Sequence, residues 1–378
     1  MSAVLHVIIP QSEGAIGGSD LHVLDLAVAQ QRHGQWQPIV LTLRANRDYL
    51  QRLTAAGLSV LAPPLRPGRL WRLPADRDVG MIHGHGYDAN YLIAAMRKVS
   101  PNWARLPAVA TAHGWIENTL RDRVASHWDR IAMRSADLRI ASAHAHLPRL
   151  QAACGPSVAL HNGVPAPRNA DGLAFRRAHR IDPGATLIGS VGRLSPEKRP
   201  DLLLKAGARV RQERPEVHLL IVGGGAQGEA LLQMAAALGL DGHVTFTGVV
   251  KDISPAMAAL DLLVQPSDTE GSPRSILEAM ARGLPIVATD VGDVSALLDD
   301  GKAGTIVPPD DPSALTDAIL TLISNPTRTR ALAATAHARY AELYTVDIMR
   351  AKIDDLYETV RSTVSVRRPA PRRLRSKP

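Results

Sequence analysis

The chain has 378 residues, of which 45% are hydrophobic, 21% charged and only 3% aromatic. That length is too great for one typical hydrophobic core and comfortable for two, and the composition is that of a folded chain with aliphatic cores, not a fibrous or disordered one. The formal charge of +8 belongs mostly to the C-terminal end: residues 361–378 hold seven bases (Arg361, Arg367, Arg368, Arg372, Arg373, Arg375 and Lys377) and no acid, so eight less seven leaves an excess of one, and nucleic-acid binding by the body of the chain is not expected. One cysteine, Cys154, rules out an internal disulfide and fits a reducing cytosol. It reads as a small buried filler. No run reaches the ~18 apolar residues that span a bilayer, and MSAVLHVIIPQSEG lacks the basic flank and apolar length of a signal peptide, so a cytoplasmic location is expected.

Short apolar strands alternate with amphipathic helical stretches, the pattern of parallel α/β sheets. The first series is predicted at 3–9, 38–43, 58–62, 80–84, 108–114 and 137–142. After the first strand, Gly17 and Gly18 permit close backbone approach, and Ser19 or Asp20 can cap the next helix; a plain flexible turn explains the glycines equally well. Two strands end in His-Gly: "IHGHG" with His83 and His85, and "TAHGW" with His113. Open α/β sheets bind ligands beyond the carboxyl ends of their strands, which favours a site role for these histidines over the commoner structural one. His83 and His85 have no thiol or carboxylate cluster nearby and make a poor metal set, so a cleft-lining or acceptor-side role is expected.

The segment "SVALHNGVPAPRNADG" reads as an extended connection, with Asn162 and Gly163 in a tight turn and the domain boundary near 162–172. A second series of strands is predicted at 186–192, 218–224, 243–248, 262–267 and 284–289, followed by helical residues 311–362. "VGRLSPEK" places Arg193 and Lys198 at a strand end before a helix, where a guanidinium and an ammonium can neutralise a diphosphate. Gly223, Gly225 and Gly228 fit G-x-G-x-x-G, yet the next strand, "HVTFTG", ends without the acid that a dinucleotide-binding dehydrogenase requires. These glycines read as a tight turn. In 265–289, QPSDTEGSPRSILEAMARGLPIVAT, Ser272 is expected to cap a helix with Pro273 in its first turn. Glu270 then lies in the loop and Glu278 on the helix, about 10 Å apart on helix geometry, with free N–H groups and the positive dipole end between them. That is too far for paired-carboxylate glycoside hydrolysis. The competing reading of Glu278 is a solvated ion pair with Arg282 at i+4.

This string, with its E-x7-E spacing and "EAMARGLPIVAT", resembles the retaining glycosyltransferase family 4 over nearly the whole chain apart from the tail, specifically in the second half and more loosely in the first. The resemblance implies a GT-B fold: two Rossmann-like α/β/α domains facing across a cleft, an acceptor-binding one at 1–165 and a nucleotide-sugar-binding one at 166–345, with a helix at 346–362 crossing back to the first. It further implies that Gly17 and Gly18 lie near the diphosphate and acceptor, that His113 contacts the donor sugar, and that Arg193 and Lys198 form the family's Arg-x4-Lys pair. Glu270 would hold hydroxyls of the transferred sugar and Glu278 the ribose. Gly248, Val249 and Val250 would lie near the base, and Gly271, Ser272, Arg274 and Ser275 near the phosphates. The family often has a glycine where Ser272-Pro273 stands, and Pro273 supplies no N–H.

The implied reaction moves a hexose from a UDP- or GDP-sugar to a carbohydrate, lipid-linked or small-molecule acceptor by front-face substitution, without metal or other cofactor. The alternatives from sequence are a nucleotide-sugar 2-epimerase and a catalytically silent nucleotide-sugar-binding paralogue. The Arg- and Pro-rich end, 363–378, is expected to be disordered and to be able to adhere to an anionic membrane surface.

Overall fold

The computed structural model describes residues 2–10, 16–114 and 120–367. The chain divides into two compact units, one made of residues up to His161 together with those from Val346 onward, the other of Asn162–Thr345.

The first unit is a parallel sheet of β1 (Ala3–Ile8), β2 (Gln37–Thr42), β3 (Ser59–Leu61), β4 (Val79–His85), β5 (Ala108–Ala112), β6 (Leu138–Ala141) and β7 (Ser157–Ala159), in the order β3-β2-β1-β4-β5-β6-β7. Its central strands are buried on both faces, mostly by apolar side chains, because both faces are covered. Leu5, Val7, Ile39 and Ile82 pack on one side, and Val4, Met81, Val109 and Ile140 on the other. The second unit has β8 (Thr186–Val191), β9 (Val217–Val222), β10 (Val244–Gly248), β11 (Leu262–Gln265), β12 (Ile286–Thr289) and β13 (Thr305–Val307), all parallel, in the order β10-β9-β8-β11-β12-β13.

Every strand predicted from sequence is present to within about two residues at either end. Two others, β7 and β13, were not predicted. Each has three residues, too few to show a period, and each is defined by pairing with the neighbouring strand. The helical region after the second sheet resolves into Pro312–Ser324, Pro326–Leu343 and Val346–Arg367. The last of these ends five residues beyond the predicted limit of 362. The apolar stripe of Met349, Ile353, Tyr357 and Val360 continues through Val364, all of them buried against Val4, Leu26, Trp36 and Met81 of the first unit. The remainder of the Arg- and Pro-rich end, 368–378, lies outside the described residues. Among the described residues, no helix is long and apolar enough to cross a membrane. Cys154 is buried in the core between β5, β6 and the helix Leu147–Cys154, as a filler should be.

Ile353 is 1% exposed in this helix seam. Ile353→Ala is expected to destabilise the first unit by about 3 kcal/mol through lost burial and a residual cavity. Urea unfolding monitored by the fluorescence of Trp36, with the other tryptophans replaced, measures it.

Candidate functional site

In both sheets the connections reverse direction beside the first strand, between β1 and β4 and between β8 and β11, and the crevice beyond the strand ends at such a point is where open α/β sheets bind ligands. In the second unit this point brings two loops together. Arg193 and Lys198 follow β8, and Glu270 follows β11. The Lys198 ammonium lies 2.7 Å from both Glu270 carboxylate oxygens. Glu270, 7% exposed, also accepts hydrogen bonds of 2.7 Å from Gln265 Nε2 and from Ser267 Oγ. Buried carboxylates persist only when paired in this way. The Asp268 N–H donates to the Glu197 carbonyl at 2.9 Å, and Arg199 grips the Asp268 carboxylate at 3.0 Å while also pairing with Asp201 and Asp310. Arg199 sits at a φ of +48°, in the left-handed region, so its three ion pairs hold an unfavourable turn.

Arg193, Lys198 and Gln265 line one hollow with Ser190 and Gly192. Arg193 itself pairs with Glu197 at 3.2 Å. Burial pushes the Glu197 carboxyl up, but the Ser195 hydroxyl, the backbone and the neighbouring Arg193 and Lys198 outweigh it and hold it below the ordinary range.

The helix Arg274–Arg282 begins one residue later than predicted. Pro273 is the cap position, at an extended ψ of 117°, and Ser272 makes no capping bond. Ser272 therefore stands too early in the chain to reach the first-turn amides, and its hydroxyl is buried with no hydrogen-bond partner. Ser275 donates to Gln265 Oε1 at 2.8 Å, which links this helix to the Glu270 cluster. Glu278 pairs with Arg274 at 3.3 Å, and Arg282, the expected partner, feels its charge from farther off. Glu278 lines a second hollow, of about 90 Å³, together with Arg168, Ile253, Met257 and Arg282.

The glycines of "VGGGAQG" serve the backbone. A Cβ on Gly223 would stand 1.9 Å from the Gly192 carbonyl oxygen, and one on Gly225 would stand 2.3 Å from that of Leu194. They let this turn press against the loop carrying Arg193, consistent with the tight-turn reading. Gly248, at a φ of +67°, accepts the Gly223 N–H at 3.0 Å, Val249 beside it is exposed, and Val250 packs on the core. Sequence reasoning missed three supports of Glu270: Gln265, Ser267 and Gly292. The signal for the first two was a polar pair at the end of an apolar strand. Gly292 gave none, because its need arises from a distant loop: a Cβ there would lie 2.1 Å from the Glu270 carbonyl oxygen.

In the first unit, Gly17 caps the helix Gly18–His33, and Asp20, three residues on, accepts the Gly17 N–H at 2.8 Å. Asp20 thus acts from within the first turn instead of standing at the cap, and Ser19 is not the capping residue. Register places His6 of β1 opposite His83 of β4, Ile8 opposite His85, and His85 opposite Thr111 of β5. His6, His83 and His85 are thereby packed as buried neighbours, with His113 3.4 Å from His85 and the His22 ring centroid 4.8 Å from that of His113. Candidate ligand atoms of His6, His83 and His85, and of His22, His85 and His113, lie within 4.8 Å of one another. Both ring nitrogens of His6, His83 and His85 already meet protein partners: His83 meets Tyr357 Oη at 2.5 Å and Thr111 Oγ1 at 2.7 Å, His85 meets His6 at 3.0 Å, and His6 meets Gln30 at 2.8 Å. A metal at the first set would have to displace those bonds. Burial lowers the pKa of His6 to about 4 against the Gln30 hydrogen bond that raises it, and burial followed by the neighbouring imidazoles holds His83 and His85 well below the ordinary value.

Models for "Glycosyltransferase Family 4" and "Glycosyl transferases group 1" match residues 16–168 and 185–325. The phosphatidyl-myo-inositol mannosyltransferase of Mycobacterium leprae is 30% identical over 95% of this chain and 97% of its own. This chain belongs to the family 4 glycosyltransferases. The GDP-mannose-dependent alpha-(1-6)-phosphatidylinositol monomannoside mannosyltransferase of Mycolicibacterium smegmatis is 32% identical over 74% of this glycosyltransferase and 68% of its own length. In fold, the glycosyltransferase superposes on Anabaena Alr3699/HepE in complex with UDP-glucose with a TM-score of 0.81, at 23% identity, over 95% of this chain and all of the other. The two Rossmann-like units are those of GT-B enzymes.

Gly292→Ala is expected to push the Glu270 loop out of place and to lower transferase kcat/KM by about tenfold or more, since the residue is also at a φ of +57° that alanine resists. Steady-state kinetics on the folded variant checks it. Acid should destabilise the first unit. The folded-state pKa of His6 lies below its unfolded value of 6.5, so the unfolded chain binds the extra proton, and the stabilisation is complete above pH 6.5 and lost as pH falls towards about 4. For His6 alone this is on the order of 3 kcal/mol. His83 and His85 add in the same direction, so melting temperature measured from pH 7 to 4 should fall steeply, and less so in His6→Gln.

Proposed function

We propose that this enzyme is a retaining, metal-independent hexosyltransferase that moves mannose from GDP-mannose to a hydroxyl of a lipid-linked acceptor. The donor and acceptor classes are supported by the two mannosyltransferases that resemble it across most of its length. A UDP-hexose is the next donor to consider. The observation that carries the reading is the Lys198–Glu270 pair, a cation and a carboxylate fixed side by side at the switch point of the second sheet.

Breaking the sugar–phosphate bond builds positive charge on the anomeric carbon and negative charge on the diphosphate, so stabilising the departing group is the main demand. Lys198, Arg193 and the first-turn N–H groups of the helix Arg274–Arg282 supply it. No metal is required where two cations and a peptide dipole meet that charge. Glu270, held from behind by Gln265 and Ser267, accepts hydroxyls of the sugar. His113 orients the sugar near its reacting carbon, Glu278 holds the ribose hydroxyls, and the backbone at Val249 and Val250 reads the base. An oxygen of the donor phosphate takes the acceptor proton. The acceptor oxygen bonds to the anomeric carbon on the face from which the phosphate leaves with its electron pair, so configuration is kept. The basic C-terminal end, beginning at Arg361 and Arg367, draws the enzyme to anionic lipid.

A panel of nucleotide sugars tests this. GDP-mannose should raise the melting temperature, and with a lipid-linked acceptor it should be turned over in the presence of EDTA, giving a product of unchanged anomeric configuration by NMR. Lys198→Ala and Glu270→Gln should lower kcat by about 10²- to 10³-fold, and Glu278→Ala should raise the donor KM. Absence of any thermal or turnover response to every nucleotide sugar would overturn the proposal, and epimerisation of the donor without acceptor would replace it.

A further inference from the structure

The histidines of the first unit form part of a buried hydrogen-bonded line whose far end is a single carboxylate. From the candidate site inward, His113 Nε2 meets His85 Nδ1 at 3.4 Å, His85 Nε2 meets His6 Nδ1 at 3.0 Å, and His6 Nε2 meets Gln30 Oε1 at 2.8 Å. The Gln30 amide nitrogen then donates to Asp354 Oδ1 at 2.8 Å, and Arg350 holds the other oxygen of Asp354 at 2.7 Å. His6, His85, Gln30 and Asp354 are each at most 3% exposed.

An ionised carboxylate accepts and never donates, whereas a primary amide has one donating and one accepting end. Asp354 therefore turns the NH₂ of Gln30 towards the helix Val346–Arg367, where the same amide also hydrogen-bonds the Tyr357 phenol. That leaves the Gln30 carbonyl oxygen facing His6, so His6 must carry its proton on Nε2 and present a lone pair at Nδ1. A neutral imidazole has one N–H, so the same requirement passes along the line: His85 carries its proton on Nε2, and His113 donates from Nε2 to His85 Nδ1. The reverse polarity would set the Gln30 carbonyl oxygen against the Asp354 carboxylate, two acceptors at 2.8 Å. Burial keeps His6 and His85 uncharged at neutral pH, so the line cannot escape by taking up a proton.

The structure assigns Asp354 and Gln30 as positioning residues that fix the tautomer of His113, relayed through His6 and His85, so that His113 holds its proton on Nε2 and keeps a lone pair at Nδ1. This rests on the proposed role of His113 at the transferred sugar, where the ring would accept a sugar hydroxyl proton in a hydrogen bond without removing it. It gives the last helix a part in the chemistry: its Asp354 orients a side chain three hydrogen-bonded residues away. Tyr357 starts a second branch, through His83 to Thr111, besides touching the Gln30 amide.

The test is the ring-nitrogen NMR spectrum of the full-length protein labelled with ¹⁵N-histidine, without substrate, assigned with His113→Gln and His6→Gln. In the wild type, long-range proton–nitrogen correlations should show His6, His85 and His113 all protonated on Nε2. Asp354→Asn keeps the shape but lets position 354 donate, so Gln30 can flip and His113 should shift towards the Nδ1-protonated form, with kcat falling about tenfold, the scale of one aimed hydrogen bond. Tyr357→Phe, which loosens the same helix and removes one contact of the Gln30 amide while leaving Asp354 in place, should leave the His113 tautomer as it is. An Nδ1-protonated His113 in the wild type would overturn the assignment with no variant needed, as would an Asp354→Asn protein whose His113 tautomer is unchanged. Because the spectra need no turnover, they separate the two readings: a protein that shows the tautomer switch but transfers no sugar keeps the relay and loses the proposed function, and one that transfers sugar with the tautomer unmoved does the reverse.

Discussion

The contact between Lys198 and Glu270 is the constraint on which the second unit's site depends. Each residue is supplied by a different loop, one after β8 and one after β11, and each loop is shaped by bonds that have little meaning apart from this contact. Arg199 accepts a left-handed backbone because Asp201, Asp268 and Asp310 surround it. Gly223 and Gly225 let a neighbouring turn press on the Arg193 loop, and Gly292 lets another press on Glu270. The net effect is a cation and a carboxylate held close in partial burial, 2.7 Å apart.

The first unit solves a different problem. Its central strands carry histidines where parallel sheets ordinarily carry valine and isoleucine, and an imidazole buried at β1 or β4 must have both nitrogens satisfied. The strands cannot do this among themselves, because a row of neutral rings can point its protons either way. The direction comes from a helix encoded hundreds of residues later, through Gln30 and Asp354. The hydrophobic seam of Met349, Ile353 and Val360 thus fastens that helix and also sets the polar groups between its turns against the histidine row.

Much of this was legible in the chain. The strand runs and the placing of Lys198 and Glu270 beyond strand ends of the second sheet could be read because each depends on residues close in sequence or on a motif of fixed spacing. The short strands β7 and β13 escaped notice, since three residues carry no period. The expected Ser272 cap failed because Pro273 took the extended cap conformation itself, moving the helix start by one residue. Glu278 made its close pair with Arg274, four residues before it, where the sequence offered Arg282 at the same spacing, a choice that only side-chain packing could make.

What the sequence by itself determined was the parallel α/β architecture and the family, because apolar runs, turn residues and the 265–289 string express local preferences that survive in any context. The tertiary structure alone decided which groups support the chemistry: Gln265, Ser267 and Gly292 behind Glu270, and Gln30 and Asp354 behind the histidines. These act through contacts of one or two hydrogen-bond lengths between residues as far as 324 positions apart, and no local preference encodes a distance of that kind.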